Sequence, residues 1–154
     1  MPAANIETLY QFENALEAAA KSILTTSASL TAYRQRDTDT VTTPWAAVQL
    51  SGVRADGNVH MIGDVGWPSS FDGQLRVVVV TNRGQNAASH ITYVGKVRRN
   101  LYDLTLWTSV LLPNHKVWSV METGTAPQIA GDENQDATEI TFALKWLIIE
   151  SEWP

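Results

Sequence analysis

Thr138 to Glu150 constrains this chain more than any other stretch. Ile140, Phe142, Leu144, Trp146 and Ile148 alternate with Thr141, Ala143, Lys145, Leu147 and Ile149. Period two places the first set on one face of a strand, against a core. The other set begins Thr, Ala, Lys and turns apolar at Leu147 and Ile149, so the second half is expected to be covered on both faces. Thirteen residues at roughly 3.3 Å each span about 43 Å, more than twice a common strand. Such a strand is expected to bend at a bulge or to run beyond its own sheet.

The chain has 154 residues, which suits one domain over 1–154 with one core. Hydrophobic residues make up 44% and charged residues 18%, the balance of a globular chain. The net charge of -5 weighs against a protein that grips nucleic-acid phosphates. With no cysteine, neither disulfides nor thiolate metal sites are available. No apolar run reaches the roughly 20 residues of a membrane helix. Residues 1–7 lack a basic run followed by an apolar one, so no signal peptide is expected.

Residues 6–24 read as a helix capped by Asn5, with Ile6, Leu9, Leu16, Ala20 and Ile23 on one stripe. Residues 31–44 are polar. Trp45 to Leu50 is strand-like, and Asp56-Gly57 predicts a hairpin with arms near 45–54 and 58–62. Residues 63–73 read as a loop anchored by Trp67 and Phe71. Gln74 to Thr81, with Val77 to Val80 at its centre, predicts a strand covered on both faces.

Ser89 is placed to cap a second helix near 90–104, with Ile91, Val94, Val97, Leu101 and Leu104 as its apolar stripe. Gly95 within that helix suggests close packing. Thr105 to Leu112 fits either a strand or a helical continuation. Lys116 to Thr123 is a strand, and 124–137 a loop with an acidic cluster. The expectation is an α+β two-layer sandwich: a mainly antiparallel sheet of about five strands, with two helices on one face.

Motifs for chemistry are sparse. His60, His90 and His115 are too far apart for a local metal pair and read as solvated or capping residues. Gly63 to Gly66 lacks the lysine of a phosphate loop and the third glycine of a dinucleotide fingerprint. No serine nucleophile elbow is present. Asp132, Glu133, Asp136 and Glu139 offer carboxylates to a hard cation, but without the alternating spacing of a calcium loop; a solvated acidic loop is the simpler account. Arg34, Arg36, Arg98 and Arg99 with the tryptophans could bind single-stranded nucleic acid, against which stand the strand positions of Trp45, Trp118 and Trp146. No catalytic, cofactor or metal residue is assigned.

Taken as an ordered set, several segments carry a resemblance: Phe12 to Glu17, Pro44 to Leu50, Phe71 to Arg83, His90 to Arg98, and Ala143 to Ile149 running on to Trp153-Pro154. Together they resemble the tail-terminator or tail-completion (head–tail joining) proteins of long-tailed bacteriophages, over nearly the whole chain. The resemblance rests on element order and size, not on fixed motifs.

It implies a virion structural protein forming a ring, usually a hexamer, between the tail tube protein and the head–tail connector proteins. Such a protein is not an enzyme, needs no cofactor, and lets DNA pass without specific binding. It sits in the virion tail or neck and assembles in the host cytoplasm. In that setting Asp132, Glu133 and Asp136 are candidates for the ring lumen, where negative charge repels passing DNA; a solvated outer loop is the alternative. Trp67, Phe71, Leu147, Ile149 and Trp153 are candidates for a subunit or partner interface. The competing function is a small ligand-binding or enzymatic α+β domain whose site gathers residues distant in sequence, His60, His90 or Tyr93 among them.

Overall fold

A computed structural model describes residues 6–28, 30–34, 44–55, 61–62, 67–68, 70–82, 87–111, 115–128 and 135–148. The elements in order are α1 (Ile6–Thr26), β1 (Thr31–Arg34), β2 (Trp45–Ala55), β3 (Met61–Ile62), β4 (Trp67–Pro68), β5 (Ser70–Asn82), α2 (Ala87–Tyr102), α3 (Leu104–Val110), β6 (His115–Gln128) and β7 (Gln135–Ile148). Five strands form one sheet in the order β1-β2-β5-β7-β6, and β3 pairs with β4 separately. Only the β1–β2 pair of the large sheet is parallel. The fold is α+β, with helices packed against one face of the sheet.

The alternation in β7 sets the core. Ile140, Phe142, Leu144 and Trp146 are all at or below 1% exposure, while Thr141, Ala143, Lys145 and Leu147 face the other way and stay partly exposed. Each fully buried side chain of this size contributes about 1.5–3 kcal/mol. Val77, Val79 and Leu75 of β5, Ala46 and Val48 of β2, and Val117 of β6 extend the same apolar floor. Leu16, Ala19, Ala20, Ile23 and Leu24 of α1 cover it, as do Val94, Val97 and Leu101 of α2. Small alanines let α1 lie close to β1 and β2.

β7 carries no bulge against β5 over its described length. It pairs with β5 from Leu147 to Gln135 without interruption, because β5 is almost as long. The irregularities lie in β6 instead, between Val117 and Ser119 and between Glu122 and Gly124. Among the described residues, the end of the expected return arm does not pair with β2. β2 pairs antiparallel with β5, and Met61–Ile62 pairs with Trp67–Pro68. The physical reason is burial: Ala46 and Val48 need a long apolar neighbour, and β5 supplies one. Residues 56–60, with the Asp56-Gly57 pair, lie outside the described residues, as does Asn5.

The ambiguity over Thr105 to Leu112 resolves toward helix as far as Val110, with Leu111 as its extended C-cap and Leu112 outside the described residues. Asp103 caps α3 by accepting from the Thr105 backbone N–H at 3.0 Å and from the Thr105 hydroxyl. Trp107 is fully buried, and its Nε1 donates to the Leu101 carbonyl at 2.8 Å. That bond locks α3 onto the end of α2.

Two glycine positions differ from expectation. Gly73 lies inside β5, not in a loop, and a Cβ there would stand 3.1 Å from the Trp146 ring and 3.2 Å from Val53. Gly95 of α2 has open space where its Cβ would be, so no close packing explains it.

Candidate functional site

The surface left uncovered by the helices has two parts: the second face of the sheet, and the sheet edges. Register places Trp45, Ala47 and Gln49 of β2 beside Val80, Val78 and Arg76 of β5 on this face. Next to them stand Ala137, Glu139 and Thr141 of β7, and then β6. One end of the face is closed by the protein's own aromatics. Tyr33 and Trp45 meet edge to face at 6.4 Å, and Val80 and Ala137 in the Trp45 row are buried.

Among the described residues the other end has no such aromatic cover. Trp118 is the extra residue at the first β6 bulge, and the bulge turns its ring beside Lys145, whose Nζ lies 5.6 Å from the ring centroid. Trp118 is 40% and Met121 60% exposed. Surface ion pairs run across the face, Arg54 with Asp72 at 2.7 Å and Arg76 with Glu139 at 2.5 Å. The Glu139 carboxylate, by its hydrogen bond, pushes the Arg76 guanidinium up from its ordinary value.

Two outward backbone amides, one on β2 beyond the reach of β1 and one on the β6 edge, are held by helix side chains. β1 pairs with β2 only as far as Val48, so the β2 edge beyond it lacks a strand neighbour among the described residues. There the Glu17 carboxylate of α1 accepts from the Leu50 N–H at 3.1 Å and from Arg34 Nε at 2.6 Å. Glu17 is buried at 7% exposure, and the Arg34 side chain is mostly buried, with no hydrogen-bond partner for its Nη2 among the described residues. A carboxylate oxygen thus stands where a strand carbonyl would.

On the far edge, the Glu122 N–H of β6 donates to the Tyr102 hydroxyl at 2.7 Å. The Tyr102 ring packs edge to face on Phe142 at 6.0 Å, yet the residue is 44% exposed. Arg98 grips the Glu122 carboxylate with two bonds of 2.9 Å and reaches Thr125 at 3.0 Å; Thr125 in turn donates to Glu122. The Arg98 hydrogen bonds hold the Glu122 carboxyl below its usual range, against a smaller upward effect of burial, and Glu122 raises Arg98 in return.

The residues singled out in the sequence are dispersed. Phe71 is buried and stacks on Trp146 at 6.1 Å, on the helix side of the sheet. Leu147 is partly exposed on the opposite face, in register between Ser70 and Lys116. Trp67 pairs its backbone with Ile62. Asp136 opens β7 opposite Thr81 and is partly exposed. Asp132, Glu133, Ile149 and Trp153 lie outside the described residues, as do His60 and Arg36.

His90 joins helix to sheet: Nδ1 meets the Thr81 hydroxyl at 2.8 Å and Nε2 the Thr138 hydroxyl at 2.7 Å. Both ring nitrogens are therefore engaged by the scaffold. Lys96 Nζ sits 5.3 Å over the Tyr93 ring. Among the described residues no three His, Asp or Glu side chains gather in a way that could hold a metal. None of their helices is long and apolar enough to cross a membrane. Sequence reasoning missed both edge contacts. The only available signal was a glutamate, Glu17, close to the apolar stripe of α1.

No family model matches this chain, and no curated protein does. Among solved structures, a chain from the virion of a native gene transfer agent (GTA) particle is similar, with 11% identity and a TM-score of 0.49, covering 90% of this chain and 91% of that one. Likeness at that score decides neither fold nor function.

Proposed function

We propose that this chain is a structural virion protein of a tailed bacteriophage, a subunit of a ring at the tail end or head–tail interface. Two things support it. The order and size of the elements resemble the tail-terminator and tail-completion proteins. The carrying observation is that the helices cover one face of the sheet only, while the opposite face and its β6 border present Trp118 and Met121 at 40% and 60% exposure. A second copy of the chain is the partner proposed for that surface, with the tail tube and connector proteins above and below the ring. A hexamer is the expected count. Asp132, Glu133 and Asp136 are proposed for the lumen, and no reaction is assigned to the chain.

The test combines light scattering behind size-exclusion chromatography, negative-stain imaging, and sedimentation of the purified chain with isolated tail tubes. Rings, alone or on tubes, are expected. Leu147→Asp is expected to lose them while keeping the parent circular dichroism. A chain that stays monomeric at high concentration and also fails to bind tubes overturns the proposal.

A further inference from the structure

We propose that the Tyr102 hydroxyl is a releasable stop on the β6 edge: it occupies the outward Glu122 amide and so opposes the addition of an edge strand, β1, from a second copy of this chain. Antiparallel ladders alternate between residues whose backbone groups face the partner strand and residues whose groups face away. Glu122 donates to Tyr102 instead of β7, so it faces away. Val120, two residues before it with no bulge between, faces away as well. Ser119 to Glu122 is therefore a four-residue window of regular edge between two bulges, and Tyr102 closes one of its outward amides.

The opposite border supplies the matching strand. β1 is also four residues long and pairs only with β2 among the described residues. Following the pairings across the sheet, β1 and β2 run one way, β5 the other, β7 back, and β6 opposite to β1. Copies joined head to tail in one continuous sheet thus meet β6 to β1 as an antiparallel ladder. A head-to-tail contact of this kind closes into a ring when its rotation allows. An uncapped edge strand of this length would also recruit wrong partners, and a side-chain stop prevents that until a true partner competes for the amide.

The proposal rests on the assembly reading for its purpose, but its readout does not depend on where the ring resides. Tyr102→Phe removes the hydroxyl and keeps the ring on Phe142. Sedimentation velocity of the full chain over a concentration series should show self-association at about threefold to tenfold lower concentration than the parent, the size expected when one competing hydrogen bond is removed. Hydrogen exchange on the associated species should show new protection at Ser119–Glu122 together with Thr31–Arg34. A folded Tyr102→Phe chain with the parent's association curve overturns the stop. Association protected elsewhere, or at β6 without β1, overturns the seam. Tube binding of the parent is scored separately, so a ring protein without this stop remains distinguishable from a chain that forms no ring.

Discussion

Two stretches of unpaired strand edge, β2 beyond Val48 and β6, solve one problem with different strength. At the β2 border a carboxylate inside the helix–sheet layer takes the Leu50 amide while bound to Arg34. At the β6 border a hydroxyl on a side chain nearly half exposed takes the Glu122 amide beside a partly exposed ion pair. The first contact cannot open without stranding a buried charge. The second can exchange with water or another strand at little cost. Protection of a sheet edge is thus permanent where the stop belongs to the core and conditional where it belongs to the surface.

The comparison breaks most visibly at Glu17. Glu17→Ala leaves Arg34 buried without its carboxylate and the Leu50 N–H without its acceptor. A loss of about 3–5 kcal/mol is expected in urea unfolding. A loss below about 1 kcal/mol would mean that the β2 border is no more firmly sealed than the β6 border. Gly95→Ala probes the helix that bears the conditional stop. With open space at its Cβ, alanine should stabilise the fold by about 1 kcal/mol, read as a higher unfolding midpoint with unchanged association.

The smallest effect concerns pH. Glu122 has its carboxyl lowered in the folded chain, so its contribution is present above the ordinary value of 4.5 and is lost as pH falls through the folded value. Glu122→Gln should flatten that part of the stability–pH curve by about 0.5 kcal/mol or less, because the pair is partly exposed. An unchanged curve would show that Arg98 gives the β6 border no electrostatic support.

Much of the layer plan was legible because burial writes itself into periodicity. The alternation in β7 and the valine run of β5 located the core floor, and the α1 stripe located its cover. What was hidden depended on partners far along the chain. Thr31 to Arg34 looked like a polar connection because its arginine is neutralised by Glu17, which no local pattern reveals. Asp56-Gly57 argued for a local hairpin, but β2 takes the distant β5 as its antiparallel neighbour and Met61–Ile62 pairs with Trp67–Pro68. Ile91 fitted the α2 stripe by spacing but is 71% exposed, and it is its neighbour His90 that reaches the sheet, at Thr81 and Thr138. The candidate surface was less legible still. Leu147 could be singled out by its position after Lys145, but Tyr102, Glu122 and Glu17 act through single backbone amides. A hydrogen bond to an amide leaves no hydropathy signature.

The strand order also dictates timing. β7 is the last strand among the described residues, yet it lies between β5 and β6 and not at a border. On the ribosome, β5 and β6 are both synthesised before the strand that joins them. Until β7 emerges, neither can complete its ladder, and the apolar floor stays split in two. Its pairs with β5 reach from Asn82↔Gln135 to Ser70↔Leu147, separations that slow folding by the entropy of closing long loops. Nascent chains stalled before residue 135 should therefore be captured by holdase chaperones, and release should coincide with the exit of β7 from the tunnel.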